Sequence, residues 1–453
     1  MSTVNKSAED DGPFSSKVIN IVFVILLLDL LGFTLILPLL PSILDHYAQT
    51  GDVVYQSLQS VVDWFREAVG IPLEKKYNTV LFGGLIGSLF SLLQFLMSPL
   101  TGALSDRHGR RPLLILTTIG LMSSYAVWAV SRSFSMFLLF RVIGGVSKGN
   151  VSLCTAIVAD LPCPKARNRG MAMIGIAFSL GFTVGPLMGA YFAVSSKATG
   201  NVFFQTPALL ALAFSVADLL FIWLMLPETL TKDVKASSSG FGDSRDLLNP
   251  LSLFHFSAVT RVKDPPAKKR MLKLQVLGLV YFCYLFLFSG LEFTLSFLTH
   301  QRFQFTSMQQ GKMFFFIGVI MALIQGGYAR RIKPGHHIKA VRMAIIALIP
   351  AFVLIGLSWD VTVLYVGLAL YSFAAAVVVP CLSTLVSDHG SASQKGTVMG
   401  ILRSLGALAR ALGPVLSSSV YWIAGAQTCF LLTSASFIIP LALLRIAGRL
   451  KEE

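Results

Sequence analysis

Charge is what this chain of 453 residues has least of: only 13% of it is Asp, Glu, Lys or Arg, against about a quarter in soluble globular domains. Acids are the scarcer sign, 22 against 37 bases, so the formal net charge is +15. No GxxxxGK[ST] phosphate-binding loop occurs, no nucleophile and base stand at a catalytic spacing, and no His, Cys or acidic cluster has metal-ligand spacing. An enzyme, a cofactor and a resident metal are therefore not expected. Cysteines number five, four of them in apolar runs (Cys154, Cys283, Cys381, Cys429) and Cys163 in a polar link, which implies no disulfide framework. The first seventeen residues lack the basic-then-apolar order of a cleaved signal peptide, so the first apolar run is expected to be its own insertion signal.

What the chain has is hydrocarbon. It is 54% hydrophobic, with 34 Phe and a mean hydropathy of +0.71. At about 20 apolar residues per bilayer crossing, a dozen spans with their loops use up the length and leave no room for a separate soluble domain. Apolar windows and loop signals predict spans near 18–44, 78–103, 111–131, 134–158, 170–193, 207–227, 274–299, 310–329, 338–357, 361–386, 396–421 and 428–447. The fold class is an all-α polytopic membrane protein. With the N-terminus in the cytosol, 26 of the 37 Lys and Arg fall in cytosolic segments and seven on the opposite side. That bias predicts both termini cytosolic and explains the net charge without a nucleic-acid partner.

The expected organisation is a cytosolic tail (1–17), a six-helix bundle (18–227), a cytosolic linker (228–273), a second six-helix bundle (274–447) and a short tail (448–453). Residues 45–77 form a long outer loop with an amphipathic helix expected at 54–69. An internal repeat supports the division. Val158-Ala159-Asp160, Arg169-Gly170, Ser179-Leu180-Gly181 and Gly185-Pro186 recur in order as Val386-Ser387-Asp388, Lys395-Gly396, Ser404-Leu405-Gly406 and Gly413-Pro414. Two parallel six-helix repeats make an alternating-access architecture with the substrate site between the halves.

Between spans two and three the chain reads Gly102-Ala103-Leu104-Ser105-Asp106-Arg107-His108-Gly109-Arg110-Arg111-Pro112, one carboxylate among three arginines on a glycine turn. A plain topology loop needs only the cations. The spacing suits a conformational latch built on Gly102, Asp106, Arg107, Gly109, Arg110 and Arg111, with Asp106 pairing Arg110 and facing the positive end of span eleven. The corresponding run Gly326-Gly327-Tyr328-Ala329-Arg330-Arg331 has no acid, so the latch is expected on one half only.

This element resembles the signature loop of the major facilitator superfamily. Leu28-Asp29-Leu30-Leu31-Gly32 with Pro38 and Pro41 is similar to the first helix of the tetracycline:proton antiporters, within the drug:proton antiporter branch. Arg141-Val142-Ile143-Gly144-Gly145 resembles that group's helix-four element, whose Arg the resemblance ties to proton handling. Gly175, Gly181, Gly185, Pro186 and Gly189 match the helix-five antiporter element, and Leu226-Pro227-Glu228-Thr229 the end of helix six. The implied fold is the major facilitator fold, twelve transmembrane helices in two six-helix repeats. Gly181, Gly185 and Gly189 also line one helix face, where ordinary close packing competes with a hinge, and Pro186 adds an expected kink.

Seven ionisable residues fall inside spans: Asp29, Arg141, Lys148, Asp218, Glu292, Arg403 and Arg410. Each costs roughly 2.5 to 3.5 kcal/mol on insertion scales, which makes it a functional candidate. Proton coupling is assigned to Asp29, Glu292 and Arg141. Lys148, Arg410, Arg403 and Asp218 are the substrate candidates, since Arg141 and Lys148, like Arg403 and Arg410, lie seven apart on one helix face. Carbonyl bonding or snorkelling is the competing account of Arg403. Four cations against three acids favour a small amphipathic organic anion. The expected protein is a monomeric, proton-coupled transporter in the lipid bilayer. A proton-independent carrier of lipids or drugs and a non-transporting scaffold or receptor are the alternatives. The plasma membrane is the expected location. Asp243-Ser244-Arg245-Asp246-Leu247-Leu248 has the form of an endolysosomal sorting signal, and Pro265-Pro266-Ala267-Lys268-Lys269-Arg270 that of a nuclear-import signal, so endolysosomal and inner nuclear membranes are alternatives.

Overall fold

The computed structural model describes residues 12–37, 39–49, 51–70, 75–198, 204–230, 249–260, 268–305, 307–333, 335–389 and 394–449, and these contain no β-strand. In order, the α-helices are α1 (Pro13–Thr34), α2 (Leu40–Gln49), α3 (Val53–Val69), α4 (Lys75–His108), α5 (Arg110–Ala129), α6 (Phe134–Ser147), α7 (Asn150–Ala159), α8 (Pro164–Ala198) and α9 (Gln205–Met225). They continue as α10 (Pro250–Phe254), α11 (Ser257–Thr260), α12 (Lys268–Phe303), α13 (Ser307–Gly327), α14 (His337–Leu357), α15 (Val361–His389), α16 (Lys395–Ser436) and α17 (Ile438–Arg449). Among the described residues twelve segments are long and apolar enough to cross a bilayer. The fourth is α6 and α7 together, and the last two, Lys395–Tyr421 and Ile423–Arg449, divide α16 between them, with Gly425 taking a φ of 82° just inside the twelfth. Side chains such as Leu323, 70% exposed, stand outward on these helices because lipid, not water, covers that face.

Three expectations from the sequence need correction. The first span ends at Thr34, not near 44: two turns bonded Leu37 N–H to Thr34 O (3.1 Å) and Leu39 N–H to Ile36 O (3.0 Å) close it, and α2 starts at Leu40. Pro41 has no N–H to give an ongoing helix but fits the first turn of a new one. Pro186 does not break α8, which is helical from Pro164 to Ala198. Span four, read as one continuous helix, is two, α6 and α7, with Lys148 and Gly149 between them. The amphipathic helix expected at 54–69 is α3.

Two buried apolar cores lie within residues 18–226, and a third gathers residues from 253 to 447 with Phe95 and Ala156. The two sets of helices meet along α4 against α16, where Ser404 donates to Phe95 O (2.5 Å) and Ser88 to Ala411 O (3.2 Å). They meet again along α8 against α13, where Ser179 donates to Gln325 Oε1 (2.9 Å). At the α4–α16 crossing Gly102, Gly396 and Gly400 are in backbone contact, and a Cβ on any of them would collide with the opposite chain. The dileucine-like run, Ser237-Ser238-Ser239-Gly240 and the Pro265-Pro266-Ala267 part of the basic run lie outside the described residues.

Candidate functional site

The charged loop after α4 forms the densest polar cluster. Gly109 turns the chain with a φ of 109°, a left-handed conformation that glycine adopts without steric cost. This brings Arg110, at the start of α5, back over α4, where its Nη1 donates to Asp106 Oδ1 (2.6 Å) and Ser105 Oγ (2.7 Å). The same Asp106 reaches the other half: Oδ1 accepts the Gly396 N–H (2.9 Å), and Oδ2 accepts the Thr397 N–H and hydroxyl, both at 2.7 Å. Those amides belong to the first turn of α16, which has no intrahelical acceptors for them, so the carboxylate meets both orphan donors and the positive helix end. Asp106 is 2% exposed and Arg110 0%, so the bonds form out of water.

Sequence reasoning missed several partners here. Asp160 accepts from Arg110 Nε at 2.9 Å; it had appeared only as a repeat marker. Burial pushes the Asp160 carboxyl above its ordinary range, with Arg110 and Lys395 opposing. Glu228 accepts the Arg110 N–H (2.9 Å) and the Arg111 N–H (3.3 Å), capping α5. Its place in the Leu226-Pro227-Glu228-Thr229 run was the available signal. Lys395 donates to Ala159 O across the halves, and Arg167 pairs with Asp388 at 3.2 Å, also between halves. Arg107 lies on the exposed side of the turn.

The second cluster is buried in the first half. Lys148 Nζ bonds Asp29 Oδ2 at 2.7 Å, both side chains almost fully enclosed. Asn150 Nδ2 donates to Asp29 Oδ1 (3.4 Å), while Thr117 donates to Asn150 Oδ1 (2.6 Å). On one continuous helix, positions 148 and 150 point to different sides. The non-helical Lys148 (φ −76°, ψ 61°) turns both side chains toward α1. Gln94 Nε2 donates to the Lys148 carbonyl at the break (3.4 Å), and Gly149 is tight against Thr101. Asp218, 1% exposed on α9, lies within electrostatic range of Asp29 and Lys148, and its Oδ1 has no bonding partner. Lys148 is therefore not an open cation two turns along a helix face from Arg141, as the spacing predicted. Its ammonium is already held by Asp29 and lies 4.6 Å from the Phe33 ring centre. Asp218 groups with this pair.

Arg141 is 6% exposed and packs its guanidinium 4.6 Å from the Phe90 ring centre. In the second half Arg403, 7% exposed, donates to Thr155 Oγ1 across the halves at 3.3 Å and lies 6.0 Å from the Phe178 ring centre. It is buried between helices and does not snorkel. Arg410, seven residues on, is half-buried beside Tyr281 and in electrostatic range of Glu292, which is exposed and adjoins Tyr371. Among the described residues none of Arg141, Arg403 and Arg410 is ion-paired, and no group of three His, Cys, Asp or Glu is placed to hold a metal.

The helix-five glycines form a packing face. Gly181, Gly185 and Gly189 lie against Leu30, Thr34 and Leu35 of the first half, and the Thr34 hydroxyl donates to Gly181 O at 2.9 Å. Gly175 instead abuts Gln325 of the other half.

Comparison with known proteins matches residues 22–414 to the Major Facilitator Superfamily. The chain is 60% identical to the human Major facilitator superfamily domain-containing protein 10 over 435 residues, 96% of this chain and 93% of that one. It is 25% identical to the class B tetracycline resistance protein of Escherichia coli, covering 88% of each. Among solved structures, the crystal structure of the human organic anion transporter MFSD10 (TETRAN) superposes with a TM-score of 0.91 at 60% identity, covering 95% of this chain and 100% of that one.

Proposed function

This chain belongs to the Major Facilitator Superfamily, and from that premise we propose that it moves amphipathic organic anions by proton-coupled alternating access. The Asp29–Lys148 pair carries the reading. A carboxylate and an ammonium bonded in a low-dielectric interior form a site for one proton, because protonating Asp29 removes the charge that holds Lys148. The freed ammonium then needs another anion. Arg403 and Arg410, without ion pairs, extend the positive field from the opposite half, and Glu292 beside Tyr371 and Arg410 supplies a second acid that can take a proton. The related human protein described as an organic anion transporter supports the substrate class.

Asp106 holding α16 fits a carrier closed at that end. The Lys and Arg bias makes this the cytosolic end, with both termini there. Breaking the Asp106 bonds opens the cytosolic side, and the Arg110–Asp160 and Arg167–Asp388 pairs form the rest of the latch. The working form is a monomer in the plasma membrane.

The test is uptake by proteoliposomes containing the purified protein, comparing organic anions, neutral analogues and cations with and without an imposed pH gradient. Gradient-dependent accumulation of anions, abolished by a protonophore, supports the reading. Equal anion flux without a gradient identifies a proton-independent carrier. Cation preference overturns the substrate class.

A further inference from the structure

Helix α3 carries two apolar faces where a helix on a water-bathed surface needs one. Tyr55, Leu58 and Val62 turn inward: the Tyr55 ring meets that of Phe134 edge-on at 5.2 Å, and Val62 is buried in the apolar core that includes Ile86. Val53, Ser57, Val61 and Trp64 make a second face, with Val53 74% and Trp64 68% exposed. Gln56, Gln59, Asp63 and Glu67 make a third, polar face, along which Gln59 Nε2 donates to Asp63 Oδ1 at 3.3 Å. At about 100° per residue the three sets occupy separate sectors of the helix. The helix is also held at a definite height. Asp52 Oδ1 accepts the N–H groups of Val54 (2.9 Å) and Tyr55 (3.2 Å), capping α3, while Oδ2 accepts the N–H of Phe134 (3.2 Å), where the fourth span begins. Ile86, in the core that Val62 joins, begins the second span. Both positions lie at the end of the bundle opposite Asp106 and Arg110, so α3 runs along the boundary where these spans leave the bilayer.

We propose that the face of α3 formed by Val53, Val61 and Trp64 docks into the bilayer surface at this end, its partner being the boundary between headgroups and acyl chains of zwitterionic phospholipid. Three environments meet there, and the three faces answer them. Tyr55, Leu58 and Val62 meet protein, Val53, Val61 and Trp64 meet lipid, and Gln56, Gln59, Asp63 and Glu67 meet water. Trp64 suits this depth, because its ring is apolar and its single N–H reaches the headgroups. The helix carries two acids against one arginine. Attraction to anionic headgroups therefore does not hold it, and burial of its apolar face does. A docked α3 ties the beginnings of spans two and four to the lipid surface, whatever substrate the carrier moves.

The experiment places a nitroxide on Val61→Cys or on Gln56→Cys in the full chain, in phosphatidylcholine nanodiscs, and measures collisions with dissolved oxygen, which concentrates in hydrocarbon, and with an uncharged nickel chelate, which stays in water. Signal from labelled native cysteines is subtracted with the unsubstituted protein. The Val61 label is expected to show an oxygen-to-nickel collision ratio about five-fold above that of the Gln56 label, as a face sunk about 5 to 10 Å into the bilayer surface requires. Equal ratios at the two sites mean that both faces meet water and overturn the proposal. Protection of the Val61 label from both reagents means that protein covers this face, the second half or another copy, and overturns it too. Should the label disturb α3, the emission of Trp64, read as the difference between wild type and Trp64→Phe, decides. Quenching by phosphatidylcholine brominated on its acyl chains supports the docking, and quenching by aqueous iodide alone overturns it.

Discussion

Asp106 in the first half bonds the backbone N–H of Gly396 in the second at 2.9 Å, while its other oxygen takes two bonds from Thr397. One side chain thus links the two halves directly, and the glycines at 102, 396 and 400 let the helices come close enough for it to reach.

Asp106→Asn keeps the size of this side chain but removes its charge and replaces one acceptor with a donor. The closed state is expected to lose about ten-fold in population relative to the open one, equivalent to about 1.4 kcal/mol. Cysteines introduced along the α4–α16 seam report this by their labelling from each side of the membrane, and circular dichroism should show unchanged helix content. An unaltered labelling pattern counts against the latch.

Asp29→Asn removes the proposed proton site but leaves a neutral group beside Lys148. Proteoliposomes carrying it should exchange substrate across the membrane without accumulating it under a pH gradient. Normal gradient-driven uptake by Asp29→Asn sinks the assignment.

Asp160 gives a stability signature of definite sign. Burial raises its carboxyl above the ordinary value of 3.8, so the folded protein holds this proton more tightly than the unfolded chain. Its favourable contribution is fully present below the unfolded value and is lost as pH rises through the folded one. Asp160→Asn mimics the protonated form, so its melting temperature should fall less than that of the wild type as pH is raised from about 4. Parallel melting curves for the two proteins across that range contradict the account.

Gly181→Ala tests the packing face of α8. The new Cβ would stand 2.6 Å from the Leu30 Cβ, in a contact between α8 and α1 that has no slack. A loss of about 1 to 3 kcal/mol is expected from overpacking, read as a lower melting temperature in detergent. A variant as stable as the wild type shows that α1 moves aside freely.

The twelve spans were legible because lipid demands long apolar helices, and that demand is written in composition. The Asp106–Arg110 pair was legible because its acid and cation stand within one short loop, four residues apart. The Asp29–Lys148 pair was not: its members are 119 residues apart, and the turn that aims Lys148 falls in Ser147-Lys148-Gly149-Asn150, without a proline to announce it. Glu228 and Asp160 were hidden for a related reason. Both act on Arg110 from the ends of other helices, and only the folded arrangement of loops brings them together.

The distance in sequence between Asp29 and Lys148 also bears on how the protein is made. At about 5 to 20 residues per second, the 119-residue separation means that α1 leaves the ribosome about 6 to 24 seconds before its counter-charge is synthesised. Throughout that interval the first helix must remain in the bilayer with an unanswered acid. Its own composition makes this possible: the most apolar 18-residue stretch of Pro13–Thr34 has a mean hydropathy of 2.2, among the highest of the twelve spans. Trimming that apolar surplus, at positions that touch neither Asp29 nor any substrate, should lower the yield of inserted protein before it alters transport.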